Sequence, residues 1–339
     1  VIWPRNTEYE IFSVGQKRHT LGALFFLNHK SVFNEGVPPW GPLARIARAE
    51  GTILDMDKLD WPFSMTLPHS TGARLYELAN NHMWRTKFAF TKWNSRTPGF
   101  FQPPTGNTTG NEEEWMNYTF GLYYTLLNAG FSLVPTAGTA NGVHPVPAGF
   151  SRVYVYQPDG FNYDKWLDGL KRGRSFVTTG PMLFAKVNDR QPGGIIELSS
   201  DGAEVSVTGE VVSESPVSFL EIVVNGRPVL KVSSQPKTTP SGAHQMTFST
   251  KLLIKNSSWI AVRCYEERSD GRLRFAHTGQ WTVNVPGKPL RPSPEEKEYL
   301  IERVQAEIHR SKGIVSAEAL AEYNAAPVSY THLTLPTKA

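Results

Sequence analysis

The chain has 339 residues, which is enough for two domains or for one barrel with an appendage. Apolar residues make up 40% of it and aromatic residues 12%, so packed cores are expected, and no apolar run is long enough to cross a bilayer. The net charge of +4 is small and the basic residues are scattered, apart from KRGR at 171–174, so nucleic acid is excluded as a favoured partner. Cys264 is the only cysteine, which excludes an internal disulfide and a cysteine-based zinc site.

The two ends of the sequence carry separate expectations. It begins at VIWPRN without a methionine or a signal peptide, so we expect a segment to be missing upstream. The compartment stays open, with a periplasmic or secreted location favoured. The closing segment VSYTHLTLPTKA, at 328–339, resembles a translated sequencing adaptor of the kind fused to metagenomic reading frames, and we interpret it as an artefactual tail.

The N-terminal part of the chain alternates between strand-like and helix-like segments. TEYEIFSVG alternates apolar and polar residues as a strand does, and TLGALFFLN is typical of a buried strand. GPLARIARAEG has helical spacing and ends in glycine, and TILDMD predicts a short buried strand. The order strand, helix, strand indicates a parallel α/β arrangement.

A loop, two helices and a strand-end segment follow. The loop at 86–111 is long enough to be functional, and NEEEWMNYTFGLYYTLLNAG and FNYDKWLDGLKRGRS predict helices. In GFSLVPTAGTANGVHPVPAGFSRVYVY, a buried strand gives way to small residues and then to His144, as in α/β folds with sites at strand ends. A tight turn with a surface histidine explains the same spacing equally well.

The pattern changes near residue 184. From there to 286 the chain has only short alternating runs, separated by turn residues such as NG, SG and DG, which predicts an antiparallel β-sandwich. Residues 287–327 then supply a linker and a helix, EEKEYLIERVQAEIHR, which Ser293 is placed to cap.

Side chains that bind metals recur at the ends of the predicted strands. Carboxylate and imidazole groups together are the ligand set of zinc, manganese or iron, which activate a bound water. If the strands form a barrel, their ends meet at one rim and these residues share one site. The candidates are Glu8, His19, Asp55, Asp57, His82 and His144.

Each candidate also has a purely structural interpretation. Glu8 and Glu10 are explained as solvated strand positions, which is the better interpretation of Glu10. Asp57 and Lys58 are explained as a surface ion pair, and His19 as a loop residue. The sequence contains no GxSxG elbow, phosphate-binding loop or HExxH motif.

Four segments together resemble the CehA/McbA branch of the PHP (polymerase and histidinol phosphatase) superfamily. They are DMDKLDWP, ELANNHMWR, YYTLLNAGFSLVPTAGTANGVHPVPAGFSRVYV and GLKRGRSFVTTGPML. The resemblance implies a distorted, seven-stranded β/α barrel with a di- or trinuclear metal centre, and the activity of a metal-dependent hydrolase.

The predicted fold class is therefore α/β plus all-β. An incomplete PHP-like (β/α)7 barrel, whose first strand or strands are missing, is expected at 1–183, and an antiparallel β-sandwich at 184–286. A linker and C-terminal helix follow at 287–327, and the tail occupies 328–339.

The resemblance also assigns roles to residues of this chain. Glu8 stands where the superfamily has an acid that bridges metals, and His19 where a histidine precedes the next strand. Asp55 falls near the position of a histidine–proline motif, and His82 is the next candidate ligand. GTANGVH, with His144, stands where the superfamily has GSD followed by a histidine.

Departures from the family pattern reduce the expected ligand set. Ala140 replaces an aspartate, Asp55 replaces a histidine, and the HxH motif of the first strand is absent. A polynuclear site that lacks these ligands would hold one divalent metal or none.

The expected function is hydrolysis of an ester, carbamate or phosphoester bond in a small molecule by a metal-activated water. His144 or His82 would be a ligand or a proton shuttle. The alternative is a catalytically impaired PHP-like protein that binds a glycan or another protein. The oligomeric state stays open. Residues expected to contact the substrate are Arg85, Arg152, Trp93 and Asn81.

Overall fold

The computed structural model describes residues 5–58, 60–84, 112–142, 145–233 and 235–331. Within these ranges the chain forms three β-sheets and six α-helices. The helices are α1 (Trp40–Ala49), α2 (Leu67–Thr71), α3 (Glu112–Asn128), α4 (Tyr163–Lys171), α5 (Pro294–Ser311) and α6 (Ala317–Thr331).

The first sheet has five strands, which lie side by side in chain order. They are β1 (Asn6–Val14), β2 (Lys17–Leu27), β3 (Ile53–Met56), β4 (Leu75–Ala79) and β5 (Val134–Ala137). The pairs β1–β2 and β2–β3 are antiparallel, whereas β3–β4 and β4–β5 are parallel. Every residue of β3 and β4 is buried, as expected for parallel strands that are covered on both faces.

The other two sheets pack face to face. Their strands are β6 (Arg152–Val155), β7 (Ser175–Thr178), β8 (Met182–Val187), β9 (Ile195–Glu197), β10 (Ala203–Ser213), β11 (Val217–Val224), β12 (Arg227–Val232), β13 (Lys237–Thr238), β14 (His244–Ile254), β15 (Ser258–Glu267), β16 (Leu273–Thr278) and β17 (Trp281–Asn284). The order β13-β14-β10-β8 forms one sheet, and β12-β11-β15-β16-β7-β6, with β17 and β9 attached to β15, forms the other. A shared apolar core, with Val207 and Phe248 on one side and Ile222 and Val262 on the other, lies between them.

The predicted (β/α)7 barrel is wrong. In the part of the chain that the structure describes, the five-stranded sheet is open, with β1 and β5 at its two edges. Strand makes up 37% of the chain and helix 26%, the reverse of a helix-rich barrel. The strands β6 and β7, which were assigned to the barrel, pair with each other and with β16 of the sandwich. Periodicity identifies a strand but not its partner, and here the partner lies about a hundred residues further along the chain.

Helix α3 is buried on nearly every side because it packs between the first sheet and the eight-stranded sheet. A hydrogen bond to His277, which is itself held by Thr278, ties it to the sandwich. The Tyr124 hydroxyl donates to Nε2 of His277 over 2.8 Å, and Nδ1 of His277 donates to the Thr278 carbonyl over 2.7 Å. Burial lowers the pKa of His277 to about 3, so the imidazole is neutral in the folded protein.

The C-terminal helices also belong to this packed body. Glu322 of α6 accepts the backbone N–H groups of Trp40 and Gly41 over 2.8 and 2.6 Å, at the start of α1. Pro39, the N-cap of α1, has no side chain that could do so, and a carboxylate there also suits the helix dipole.

The predicted boundary of the tail, at residue 328, falls inside α6. Residues 328–331 belong to the helix, and Tyr330 is fully buried with its hydroxyl donating to the Met65 carbonyl over 2.6 Å. The remaining residues of the predicted tail, 332–339, lie outside the described part of the chain.

The buried imidazole predicts how stability depends on pH. His277 binds a proton near its ordinary pKa of 6.5 in the unfolded chain, but only near 3 in the fold. The unfolded state therefore binds more protons between these values, and the free energy of unfolding falls as the pH drops below 6.5. The loss at pH 5 is about 2 kcal/mol. Thermal unfolding from pH 7 to pH 4 measures it, and His277→Gln should reduce the slope.

Tyr124→Phe is the matched control for this measurement. It removes one hydrogen bond to the imidazole but leaves the ring buried, so Tm should be lower at every pH with the acid dependence retained. An unchanged acid dependence in His277→Gln would show that other groups cause it.

Candidate functional site

The parallel strands β3, β4 and β5 end at the same edge of the first sheet, and a cavity of about 360 Å³ opens there. The segments that follow these strands supply Asp57, Asn80 and Ala140 to its wall. Carboxyl ends of parallel strands meet at one edge, so residues that are far apart in sequence come together. Strand β1, at the edge of the sheet, adds Glu8 and Glu10.

Three carboxylates converge in this cavity. One oxygen atom from each of Glu8, Glu10 and Asp57 lies within 4.8 Å of the other two. Glu8 and Glu10 are two residues apart on β1, so their side chains share a face of the sheet. Asp57 follows β3 and is only 4% exposed. We call these three residues the carboxylate cluster.

The ammonium group of Lys58 lies within the carboxylate cluster. Its Nζ contacts Glu8 and Glu10, and lies 2.6 Å from Oδ2 of Asp57. The backbone of Lys58 is left-handed, with a φ of 50°, and the N–H of Trp61 donates to its carbonyl over 3.1 Å. The ammonium stands where a bound cation would stand.

Two further carboxyl groups lie next to the cluster in the interior of the sheet. Burial raises the pKa of Asp55 to about 7, although the Thr136 hydroxyl donates to its Oδ2 over 2.6 Å. Burial and the charge of Asp55 raise the pKa of Glu77. Burial and the charge of Glu77 in turn raise the pKa of Asp57. These acids are therefore held in a place that disfavours their negative charge.

Two oxygen atoms of this group are buried without a hydrogen-bond partner, Oδ1 of Asp55 and Oδ1 of Asp57. A buried acceptor without a partner costs about 1–3 kcal/mol, and more when it is charged. Asp57 also lines the cavity, so a cation in the carboxylate cluster would meet an acceptor that the protein leaves unsatisfied. The donor set therefore fits a divalent ion that prefers oxygen ligands.

Aromatic side chains and His82 form another part of the wall. His82 lies in the 3₁₀ turn Asn81–Met83, which starts where Oδ1 of Asn80 accepts the N–H of His82 over 3.0 Å. The His82 ring is centred 6.3 Å from that of Trp115, and Phe12 lines the same cavity. The cavity thus presents acidic groups, one imidazole and apolar rings to a single ligand.

The structure brings several of the predicted site residues together. Glu8, Asn81 and His82 line the one cavity, although they come from β1 and from the segment after β4. Asp55 lies in β3 beside them, and its charge acts on Asp57.

Other predicted residues lie elsewhere. His19 faces α5, where Arg310 donates to its Nδ1 over 3.2 Å and its Nε2 lies 3.3 Å from the Ser311 hydroxyl. Arg152, on β6, is not part of the cavity wall. Three predicted residues, His144, Arg85 and Trp93, lie outside the described residues.

Four residues of this site had weak signals in the sequence. Glu10 was interpreted as a solvated strand position, and Asp57 as a candidate ligand with a surface ion pair to Lys58 as the alternative. In the structure Asp57 is buried, and Lys58 contacts both Asp57 and Glu10. Glu77 was not considered. A glutamate within the apolar run LYELA is the signal that could have found it, since a charged residue in a buried strand needs a reason.

Comparison with known proteins leaves the family open: no protein-family model matches the chain, and no curated protein matches it. Across the residues that the structure describes, none of the helices is both long enough and apolar enough to cross a bilayer.

The position of Lys58 predicts a pH-dependent effect on stability. Lys58→Met removes the positive charge from the carboxylate cluster, which raises the pKa values of the folded acids further. When acids have a higher pKa in the fold than in the unfolded chain, the free energy of unfolding falls as the pH rises. The Lys58→Met variant should therefore be destabilised more at pH 8 than at pH 5. Urea unfolding at both values measures the difference.

Lys165→Met provides a matched control because it removes the same charge from an exposed pair. Nζ of Lys165 lies 3.4 Å from Asp159, and both side chains are more than half exposed. This substitution should change stability by less than about 0.5 kcal/mol at either pH. Equal effects of the two variants would mean that Lys58 does not balance buried charge.

Proposed function

We propose that the protein is a metal-dependent hydrolase that cleaves an ester, carbamate or phosphoester bond in a small molecule. One observation carries the proposal: three carboxylates converge in a cavity, and one of them, Asp57, is buried with Oδ1 unsatisfied. The acidic cluster supports a divalent cation, and the neighbouring His82 supports proton transfer.

Glu8, Glu10 and Asp57 are the residues that would hold the cation. Carboxylate oxygens suit manganese best among the metals expected from the sequence, and His82 would suit zinc or iron as well. A divalent cation held by these residues would supply a bound water of lowered pKa and would polarise the bond to be cleaved.

The other residues of the cavity would bind the substrate and move protons. Among the residues that the structure describes, His82 is the histidine in the cavity wall, and a histidine suits a proton shuttle near neutral pH. Phe12, Trp61 and Trp115 would bury an apolar or aromatic leaving group and exclude water. Asn81 would orient the substrate by hydrogen bonding, as the sequence suggested.

At one position of the cavity wall, Ala140, this chain lacks a carboxylate that the resemblance to the PHP superfamily implies. Ala140 lines the cavity with a φ of 49°, in the left-handed region. Aspartate and asparagine adopt this conformation far more readily than alanine does. An aspartate, which the superfamily has here, would therefore fit the backbone and add a carboxylate to the wall.

The proposed metal site predicts how substitutions change metal binding. Calorimetric titration with Mn²⁺ should show one site, and Asp57→Asn should weaken it roughly tenfold or more because an amide replaces a ligand carboxylate of similar shape. Lys58→Met should bind more tightly than the wild type, since the competing ammonium is gone. Ala140→Asp should also bind more tightly.

Glu204→Gln is the matched control for the acid variants. Glu204 pairs with Lys251 on the surface of the sandwich over 3.4 Å, so its loss should leave Mn²⁺ affinity unchanged. Mn²⁺ affinity that is the same in the wild type, Asp57→Asn and Lys58→Met would overturn the metal site.

The proposed function also predicts hydrolytic activity that depends on the metal. We expect the Mn²⁺-loaded protein to hydrolyse at least one of p-nitrophenyl acetate, p-nitrophenyl phosphate and naphthyl carbamate, and EDTA to abolish the activity. His82→Ala should lower kcat by about 100-fold, the usual contribution of a proton-transfer group. His244→Ala, on β14 of the sandwich, is the control and should be fully active. Activity that resists EDTA would contradict the proposal.

A specific observation favours a second candidate, a metal-free binding module. Lys58 already places a cation among all three carboxylates, so the cluster is assembled without a metal. On this reading the cavity binds its ligand through hydrogen bonds and aromatic contacts alone. The binding module would be the preferred function if neither the wild type nor Lys58→Met bound Mn²⁺ at millimolar concentration while both proteins remained folded.

A further inference from the structure

Arg303 is a buried, positively charged residue that contacts two residues of the cavity wall, Asp60 and Trp61, although it lies more than two hundred residues after them in the sequence. It lies in the middle of α5 and is 7% exposed. Its Nη1 donates to the Tyr299 hydroxyl over 2.8 Å, on the same helix. Its Nη2 points at the chain segment that follows β3.

Nη2 has three acceptors within five consecutive residues of that segment. It donates to the carbonyl of Trp61 over 2.7 Å, to the Ser64 hydroxyl over 3.1 Å and to the carbonyl of Asp60 over 3.3 Å. Buried carbonyls require a donor, and a guanidinium is the side chain that can serve several at once. One arginine thus holds this stretch of backbone.

The same stretch forms a wall of the cavity. Lys58, Asp60 and Trp61 line it, and the N–H of Trp61 closes a turn onto the carbonyl of Lys58. The left-handed backbone of Lys58 costs about 1–2 kcal/mol in a non-glycine residue and persists only when its surroundings hold it. Arg303 binds the carbonyls of Asp60 and Trp61 without itself lining the cavity.

We propose that Arg303 is a positioning residue, which sets the turn that presents Lys58, Asp60 and Trp61 to the cavity. The consequence for metal binding rests on the proposed function, whereas the consequence for Lys58 does not. Without the guanidinium, one buried and one partly buried carbonyl lose a donor and the turn opens, so the ammonium leaves the carboxylate cluster more often.

Lysine acetylation measures this directly and needs no metal. The full-length protein is treated with a limiting amount of N-hydroxysuccinimidyl acetate, and mass spectrometry compares labelling of Lys58 with that of exposed Lys165 in the same molecule. In Arg303→Met we expect the relative labelling of Lys58 to rise about tenfold, which corresponds to the loss of one to two net hydrogen bonds. Arg303→Lys keeps the positive charge but lacks the planar guanidinium. Its relative labelling of Lys58 should lie between that of the wild type and that of Arg303→Met.

Arg310→Met is the matched control because Arg310 lies on the same helix but binds elsewhere. It donates to the Thr20 carbonyl at β2 and pairs with Glu307 over 2.7 Å. This variant should lose stability as Arg303→Met does, yet keep Lys58 protected. Ser64→Ala removes a single acceptor of Arg303, and should raise labelling slightly if the larger change fails to fold.

Mn²⁺ titration supplies the second readout. Arg303→Met should bind Mn²⁺ more tightly than the wild type, as Lys58→Met does, because the competing ammonium lies in the carboxylate cluster less often, and Arg310→Met should bind as the wild type does. Lys58 labelling that is equal in Arg303→Met, Arg310→Met and the wild type would overturn the inference. If the wild type binds no Mn²⁺, the proposed function fails and the labelling result alone decides the role of Arg303.

Discussion

The candidate site depends on how buried negative charge is balanced. Asp55, Asp57 and Glu77 are each less than a tenth exposed, and burial raises the pKa of all three. A buried carboxylate must take up a proton, pair with a cation or pay a large desolvation penalty. Among the residues that the structure describes, the cavity wall holds five acids and two side chains that carry a fixed positive charge, Lys58 and Arg18. An excess of acids over cations would favour a bound cation at this site.

The packing around the sheet explains why these acids stay in place. Helix α3 covers one face of the parallel strands and is itself enclosed by the sandwich, while α5 and α6 close the region beside β3. The two C-terminal helices reach back across more than two hundred residues: Arg303 binds the carbonyl of Trp61, and Glu322 caps α1. A rigid frame of this kind lets a strained turn and unsatisfied oxygens persist.

Local pattern predicted part of this arrangement. The alternation in TEYEIFSVG places Glu8 and Glu10 on one face. Asp57 and His82 were both placed at the ends of predicted strands, so their convergence at one edge followed from strand geometry. The closed barrel did not follow, because the partners of β6 and β7 depend on pairing with β16. His19 was misplaced for the same reason: its partner, Arg310, is 291 residues away, and no spacing rule reaches that far.

The charge balance also bears on the choice between a metal and Lys58. The tethered ammonium is always at hand, but it brings one positive charge to three carboxylates and leaves Oδ1 of Asp57 unsatisfied. A divalent ion attracts each carboxylate about twice as strongly at equal distance. It would also release Lys58 to face an anionic group of the substrate. If the proposed function holds, Lys58 would keep the carboxylate cluster assembled until a divalent cation takes its place.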